Sequence, residues 1–352
     1  MSENKSSSQL VSIKGETNQD FFTNKKVYVE TTGRLHMGFF DLNGGLGRKF
    51  GSIGLSLNAP ELRISASCQK ALAVSGPDFI SEEKIARVEK VARQFLQAMH
   101  IDVGANIWVD ACLDTHAGLG SGTQIALAVG TALAKLYDLP LTTQEIALKL
   151  GRGGRSGIGI AAFDVGGVLV DGGRSSTSAL PPILARYDFP ADWRILLIFD
   201  QNTSGVHGAQ ELQAFKTLPI FPENLAAHLC RSVLMQAMPA LVERDLNAFG
   251  QAILQLQEAT GDYFAPAQGG RYASKIVTKV LEHLASLGVA CYGQSSWGPT
   301  GFAVFENEQI AYQHLTSLEE QFACENLVFT VTSARNHGAN IKVRLDEAVS
   351  NS

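Results

Sequence analysis

The chain has 352 residues, 45% of them apolar and 18% charged, with a formal net charge of −5. That length suits two domains, and the acidic balance argues against a general nucleic-acid binder, whose surface needs a basic excess. Five cysteines (Cys68, Cys112, Cys230, Cys291, Cys324) form no CxxC pair, so neither a disulfide framework nor a structural zinc site is expected, and reduced thiols in a cytoplasmic setting are.

Residues 1–25 are polar and lack the apolar stretch of a signal peptide, which makes them an N-terminal tail. No run of roughly 18 apolar residues stands out, and no membrane span is expected. Order begins near Lys26 with a strand over Val27–Thr32, followed by a glycine-rich stretch from Gly33 to Gly54. Strands are expected at Leu62–Cys68 and Ala71–Val74. A helix follows over Ser81–Met99, with Ser81 as its cap and Ile85, Val88, Val91 and Phe95 on one face. A strand at Asn106–Cys112 leads through a loop into an apolar helix, Ser121–Tyr137. Thr142 and Glu145 have the spacing of a capping box. Val165–Val170 reads as a buried strand, Gly172–Pro182 as a connector, and Arg194–Phe199 as a strand. Helices dominate from about Gly208 to Leu287, with a break at Leu218–Pro222. The end reads strand (Ala290–Gly293), strand (Phe302–Phe305), helix (Gln309–Phe322), strand (Leu327–Thr332).

The segment His116–Gln124, HAGLGSGTQ, lies between a strand and an apolar helix. Glycines let a backbone approach an oxyanion closely, and a helix start offers free N–H groups and the positive end of a dipole. Gly118, Leu119, Gly120, Ser121, Gly122 and Thr123 are therefore the candidate phosphate-binding residues. The pattern is neither a Walker A loop nor a dinucleotide fingerprint, and a plain helix-entry turn is the alternative.

GLGSG at 118–122 resembles the phosphate loop of the GHMP kinase superfamily. GRLHMGFFDLNG at 33–44 and GPTGFAVF at 298–305 stand where that superfamily's first and third motifs stand. The resemblance covers roughly residues 27–345. It implies an α+β, two-domain fold, with a ribosomal protein S5 domain 2-like unit over 26–181, a ferredoxin-like unit over 182–345, a short tail at 346–352, and a site in the cleft between the units. Kinases of the mevalonate type carry SGxD before a GG pair, and the Asp is the base. Here Ser156-Gly157-Ile158-Gly159 precedes Gly166-Gly167, so a glycine stands at the acid position. Loss of a positioned base typically removes about 10²–10⁴ of rate.

The same segments, with GRGGRSGIGIAAFDVGG at 151–167, resemble the β-ribofuranosylaminobenzene 5'-phosphate synthase family. That resemblance implies a decarboxylating transfer of phosphoribose from phosphoribosyl pyrophosphate to 4-hydroxybenzoate or 4-aminobenzoate. It also implies Mg2+, and often a homodimer. Such chemistry needs no acid at position 159. Arg34, Arg152 and Arg155, with Ser156, are the candidates for holding carboxylate and phosphate, and Trp297 for stacking on the arene. His36, Asp41 and His116 are candidate catalytic groups facing the para substituent, and His337 is a further substrate-binding candidate. Asp41 and Asp164 are candidate magnesium ligands. An ATP-dependent small-molecule kinase and a non-catalytic ligand sensor remain the other readings, since fold does not fix function.

Overall fold

The computed structural model describes residues 25–114, 117–203, 205 and 214–345. Its first half contains β1 (Lys25–Asp41), β2 (Arg48–Lys49), β3 (Gly51–Gln69), β4 (Ala73–Ser75), α1 (Glu82–Ala98), β5 (Gly104–Ala111), α2 (Ser121–Leu136), α3 (Thr143–Lys149), α4 (Ile158–Asp164), β6 (Val168–Asp171), β7 (Arg174–Ser175) and β8 (Ile183–Tyr187). The second contains β9 (Arg194–Asp200), α5 (Glu223–Ser232), a π turn at Val233–Ala237, α6 (Met238–Glu243), α7 (Leu246–Gln268), α8 (Lys275–Ser286), β10 (Cys291–Gln294), β11 (Gly301–Phe305), α9 (Glu308–Gln321), β12 (Leu327–Thr332) and β13 (Asn340–Leu345).

β1 and β3 form one long antiparallel hairpin at the heart of a seven-stranded sheet. The sheet forks along β3: residues 52–55 pair with β6, and residues 63–69 pair with β5. The stretch 33–41, read from its glycines as separate from the strand, continues β1. Leu35, Met37 and Phe39 alternate along it and are buried, so the two-residue apolar period outweighs the glycines. α1, α2 and α3 cover one part of the sheet through Phe95, Ile125, Leu133 and Ile146 on Val29, Ile64 and Ile107. Thr142 and Glu145 form the expected capping box, whereas the Ser81 side chain makes no capping bond.

The second sheet has the order β10-β11-β9-β12, antiparallel throughout. With helices joining β9 to β10 and β11 to β12, this is the ferredoxin-like order. α8 and α9 cover one face through Val277, Leu281, Ala311 and Leu318. The other face shares a core with the first unit, where Leu35, Met37 and Leu55 meet Phe249, Leu256 and Phe302. The stretch Glu223–Glu243 is long and apolar enough by composition to cross a membrane. Its Leu229, Val233, Ala237 and Leu241 are buried in that shared core.

A boundary at 181 needs correction in one respect. β8 and β13 lie beyond it, yet β8 pairs with β6 and β13 with β1 in the first sheet. Backbone pairing partners, not chain order, decide sheet membership.

Candidate active site

The loop before α2 takes its shape from glycines. Gly118 and Gly120 have φ of 78° and 76°, the left-handed region that side chains avoid. A Cβ at Gly118 would strike the Ser295 carbonyl and lie 2.9 Å from Gly298 Cα, so the loop packs backbone-to-backbone on the turn at 295–298. Arg34, on β1, fixes the loop from below: its N–H donates to the Leu119 carbonyl (2.9 Å) and its Nη1 to the Gly118 carbonyl (2.7 Å). Ser295 Oγ donates to the same Gly118 carbonyl (2.9 Å) and accepts the His36 N–H (3.1 Å). The three glycine-rich segments of the sequence thus meet at one place.

At the start of α2, two guanidinium groups converge. A Cβ on Gly122 would lie 3.2 Å from both Arg152 Nη1 and Arg87 Nη2. Arg87 Nη1 and Arg152 Nε are buried and donate to no partner. Burial lowers the pKa of both, and the charge of Arg87 lowers that of Arg152 further; Cys112 and Glu83 act the other way on Arg87. Two facing cations beside a helix N-terminus can hold an anion. Arg152 was legible in the sequence. Arg87 was not: on α1 it sits one turn after Glu83 and reads as part of a solvated charged face.

At the other end of the loop stands an aromatic wall. The Trp297 ring lies 4.2 Å from Phe264 and 5.7 Å from Phe215, and Phe215 lies 5.3 Å from Phe50. The Arg155 guanidinium sits 5.7 Å over the Phe215 ring. His36 is buried beside Phe39, with ring centroids 4.5 Å apart. Burial first, then the charge of Arg34, pushes its pKa down to about 3, so it is neutral at physiological pH. His36, Phe39, Gln257, Thr260, Phe264 and Trp297 line one cavity. Phe50, Phe215 and Phe264 come from three separate segments, and nothing in their local sequence sets them apart from core residues.

Several expected site residues serve other purposes. The Ser156 hydroxyl donates to Asp171 (2.8 Å), a buried carboxylate that also accepts from Ser52 Oγ (2.7 Å) and the N–H groups of Gly157 (2.9 Å) and Gly173 (3.0 Å). Burial nonetheless raises the Asp171 pKa. This knot positions the 152–157 segment, and Ser156 is spent on it. Asp41 Oδ1 accepts from the N–H groups of Asn43 (2.9 Å) and Gly44 (3.2 Å) and so closes a turn. Asp164 ends α4; burial raises its pKa and a hydrogen bond with Thr143 lowers it. Among the described residues no three His, Cys, Asp or Glu side chains gather in a metal-binding group, so Asp41 and Asp164 do not form a shared magnesium cage. His337 is exposed, with Nδ1 2.9 Å from the Gly338 carbonyl. Gly338 packs on the Asp164 carbonyl, which puts His337 at the end of α4 remote from Gly159. His116 lies outside the described residues.

Gly159 faces the loop: a Cβ there would lie 3.1 Å from Thr123 Cγ2, and the Gln124 side-chain amide donates to the Gly159 carbonyl (2.8 Å). The position where related kinases carry an acid therefore points at the first turn of α2 and holds no acid here.

Two domains around paired glycine turns define a protein of the GHMP kinase class. The chain matches the models for the GHMP kinase N-terminal domain over residues 86–167 and the GHMP kinase C-terminal region over residues 237–324. Mevalonate diphosphate decarboxylase from Staphylococcus aureus has the same fold, with a TM-score of 0.64 at 15% identity over 90% of this chain and 98% of that one. Within the class, the chain belongs to the β-ribofuranosylphenol 5'-phosphate synthase family. It is 38% identical to the synthase of Archaeoglobus fulgidus over 333 residues, 90% of this chain and 99% of that protein. It is 33% identical to that of Methanocaldococcus jannaschii over 338 residues, 89% and 99% of the two.

Proposed function

We propose that this chain, acting in the cytoplasm, joins phosphoribosyl pyrophosphate to 4-hydroxybenzoate or 4-aminobenzoate with release of carbon dioxide and pyrophosphate, a step of tetrahydromethanopterin biosynthesis. The bond from ribose C1 to the pyrophosphate oxygen breaks, and its electron pair leaves with pyrophosphate. The ring carbon bearing the carboxylate attacks C1 from the opposite face. The bond to the carboxylate then breaks, its electron pair restores the aromatic ring, and carbon dioxide departs. The α-linked leaving group becomes a β-linked product by net inversion, so no enzyme nucleophile is required.

One observation carries the reading. A cationic end, Arg87 and Arg152 on the first turn of α2, and an aromatic end, Trp297, Phe264 and Phe215, are joined across the Gly118–Gly298 contact. An anionic sugar and a flat arene need such a pair of neighbours. Helix N–H groups and guanidiniums stabilise the charge that develops on the departing pyrophosphate. Arg155 over Phe215 is suited to the benzoate carboxylate. Gly159 leaves an ATP-dependent kinase without its base.

Magnesium enters this reading on the substrate. Among the described residues the donor set has no carboxylate cage, and Mg2+ commonly binds through substrate phosphates with few protein ligands. When bound, it neutralises part of the pyrophosphate charge. A homodimer, which the family resemblance implies, is checked by light scattering. The deciding experiment incubates the protein with magnesium, phosphoribosyl pyrophosphate and carboxyl-labelled arene. Labelled carbon dioxide that appears only when both substrates are present is the expected result; none from folded protein with either arene would overturn the proposal.

A further inference from the structure

Asp171 ends β6, is 0% exposed, and takes no part in the chemistry above. Its Oδ2 accepts from Ser52 Oγ (2.7 Å), Ser156 Oγ (2.8 Å) and the Gly157 N–H (2.9 Å), and its Oδ1 from the Gly173 N–H (3.0 Å). Among the described residues no cation pairs with it, and burial raises its pKa in spite of the four donors. A buried carboxylate without a counter-charge is costly. Its use must therefore be sought in the segments that those donors come from.

Ser52 lies on β3, inside the first sheet. Gly173 lies in the turn 171–174, whose Gly172 and Gly173 carbonyls each accept from the Arg48 guanidinium (2.8 Å). Ser156 and Gly157 end the segment 151–157, GRGGRSG, which carries Arg152 and Arg155 on a backbone with four glycines. Two of these, Gly151 and Gly153, have φ of 65° and 79°. Such a backbone has the most freedom to lose on ordering, so it needs anchors from outside. Its two arginines are anchored differently. The Arg152 N–H donates to the Ala147 carbonyl of α3 (2.7 Å). The stretch around Arg155 is held at Gly154, whose carbonyl accepts from Arg174 Nη1 (3.2 Å), and at Ser156 and Gly157 by Asp171. Arg155 thus stands next to the Asp171 anchor, with its guanidinium 5.7 Å over the Phe215 ring.

We propose that Asp171 is the positioning residue for recognition of the arene carboxylate, holding Arg155 against the aromatic wall without touching substrate itself. This rests on the transferase reading above. A guanidinium discriminates for a carboxylate only while its planar fork is held in one place. Asp171 fixes the main chain one and two residues beyond Arg155, and ties it to β3 through Ser52. Arg152, with its own tie to α3, is independent of this knot, so the phosphate end of the site is unaffected by it.

The test measures calorimetric binding of 4-hydroxybenzoate and of its uncharged analogue 4-hydroxybenzamide to wild type, Asp171→Asn and Ser156→Ala, together with hydrogen–deuterium exchange of each protein. The asparagine amide turns a donor towards at least one of the four donors. Exchange is expected to quicken over 154–157 and 172–173 and nowhere else. The preference for the benzoate over the benzamide should fall by about tenfold or more in Asp171→Asn, and in the same direction in Ser156→Ala, with the KM for phosphoribosyl pyrophosphate unchanged. A merely structural carboxylate would weaken both arenes alike. An unchanged preference in Asp171→Asn, or in Ser156→Ala should the first variant not fold, overturns the proposal, as does unchanged exchange over 154–157. The readouts separate the failures. No carbon dioxide from wild type, with a variant-sensitive preference for the benzoate in binding, sinks the transferase reading and keeps the role of Asp171. Turnover with a variant-independent preference does the reverse.

Discussion

Arg87 and Arg152 face each other across the first turn of α2 with no hydrogen bond or ion pair to answer their charges among the described residues. If they answer to phosphate, Arg87→Met or Arg152→Met keeps most of the packing stem and removes a charge-assisted bond of about 1.5–3 kcal/mol. The KM for phosphoribosyl pyrophosphate should rise by about tenfold or more while that for the arene stays put, and thermal stability should hold or improve as the like-charge contact disappears. Steady-state kinetics and a melting curve check both halves. His36 makes a second prediction at this scale. Its pKa falls from 6.5 in the unfolded chain to about 3 in the folded protein, so between those values the unfolded state binds more protons. Its contribution to stability is complete above about pH 6.5 and is lost as pH falls towards 3. Urea midpoints should therefore drop more steeply between pH 7 and 4.5 in wild type than in His36→Phe; parallel curves would contradict a neutral buried imidazole.

Among the elements, the glycine loop and the 295–298 turn act as one unit. Gly118→Ala combines a left-handed φ with a clash on Ser295 and Gly298. It should cost about 2 kcal/mol or more and remove activity. Gly151→Ala has a φ of 65° and open space around it; it should cost about 1 kcal/mol and leave activity intact. Equal activity in the two variants would mean that the loop tolerates displacement. A helix with strong periodicity, such as α1, was legible within a residue or two because one buried stripe determines it locally, even though Ser81 makes no capping bond. α4 was not, since Gly151–Gly159 reads as loop and its short helix exists only through packing against Thr123 and Leu169. β13 escaped notice although Ile341, Val343 and Leu345 alternate, because six exposed residues carry little burial signal.

For the whole molecule, the shared core makes the two units interdependent. Leu35 and Met37 from β1 pack with Leu256 from α7 and Phe302 from β11, and β13 returns to pair with β1 over six residues. A fragment of residues 1–181 lacks β8 and β13 and exposes that apolar face. It should show a collapsed near-ultraviolet circular dichroism spectrum, whereas the full chain should unfold in one transition seen alike by near- and far-ultraviolet signals. A well-folded fragment would show that the shared core is dispensable.

What the sequence determined by itself was whatever depends on neighbours along the chain: the strands and amphipathic helices, the Thr142 cap, the left-handed glycines of the loop, and the family that three ordered motifs carry. It also made Arg34, Arg152, Arg155, His36 and Trp297 candidates for the site, because they sit in or beside those motifs. Only the tertiary structure decided the rest. It brought Arg87 from a seemingly solvated face of α1 to Gly122 and gathered Phe50, Phe215 and Phe264 into one wall. It spent Ser156 on Asp171 and Asp41 on its own turn, and it left His36 neutral. Each of these turns on distance through space and on exclusion of water, and neither quantity is written in the spacing of residues along a chain.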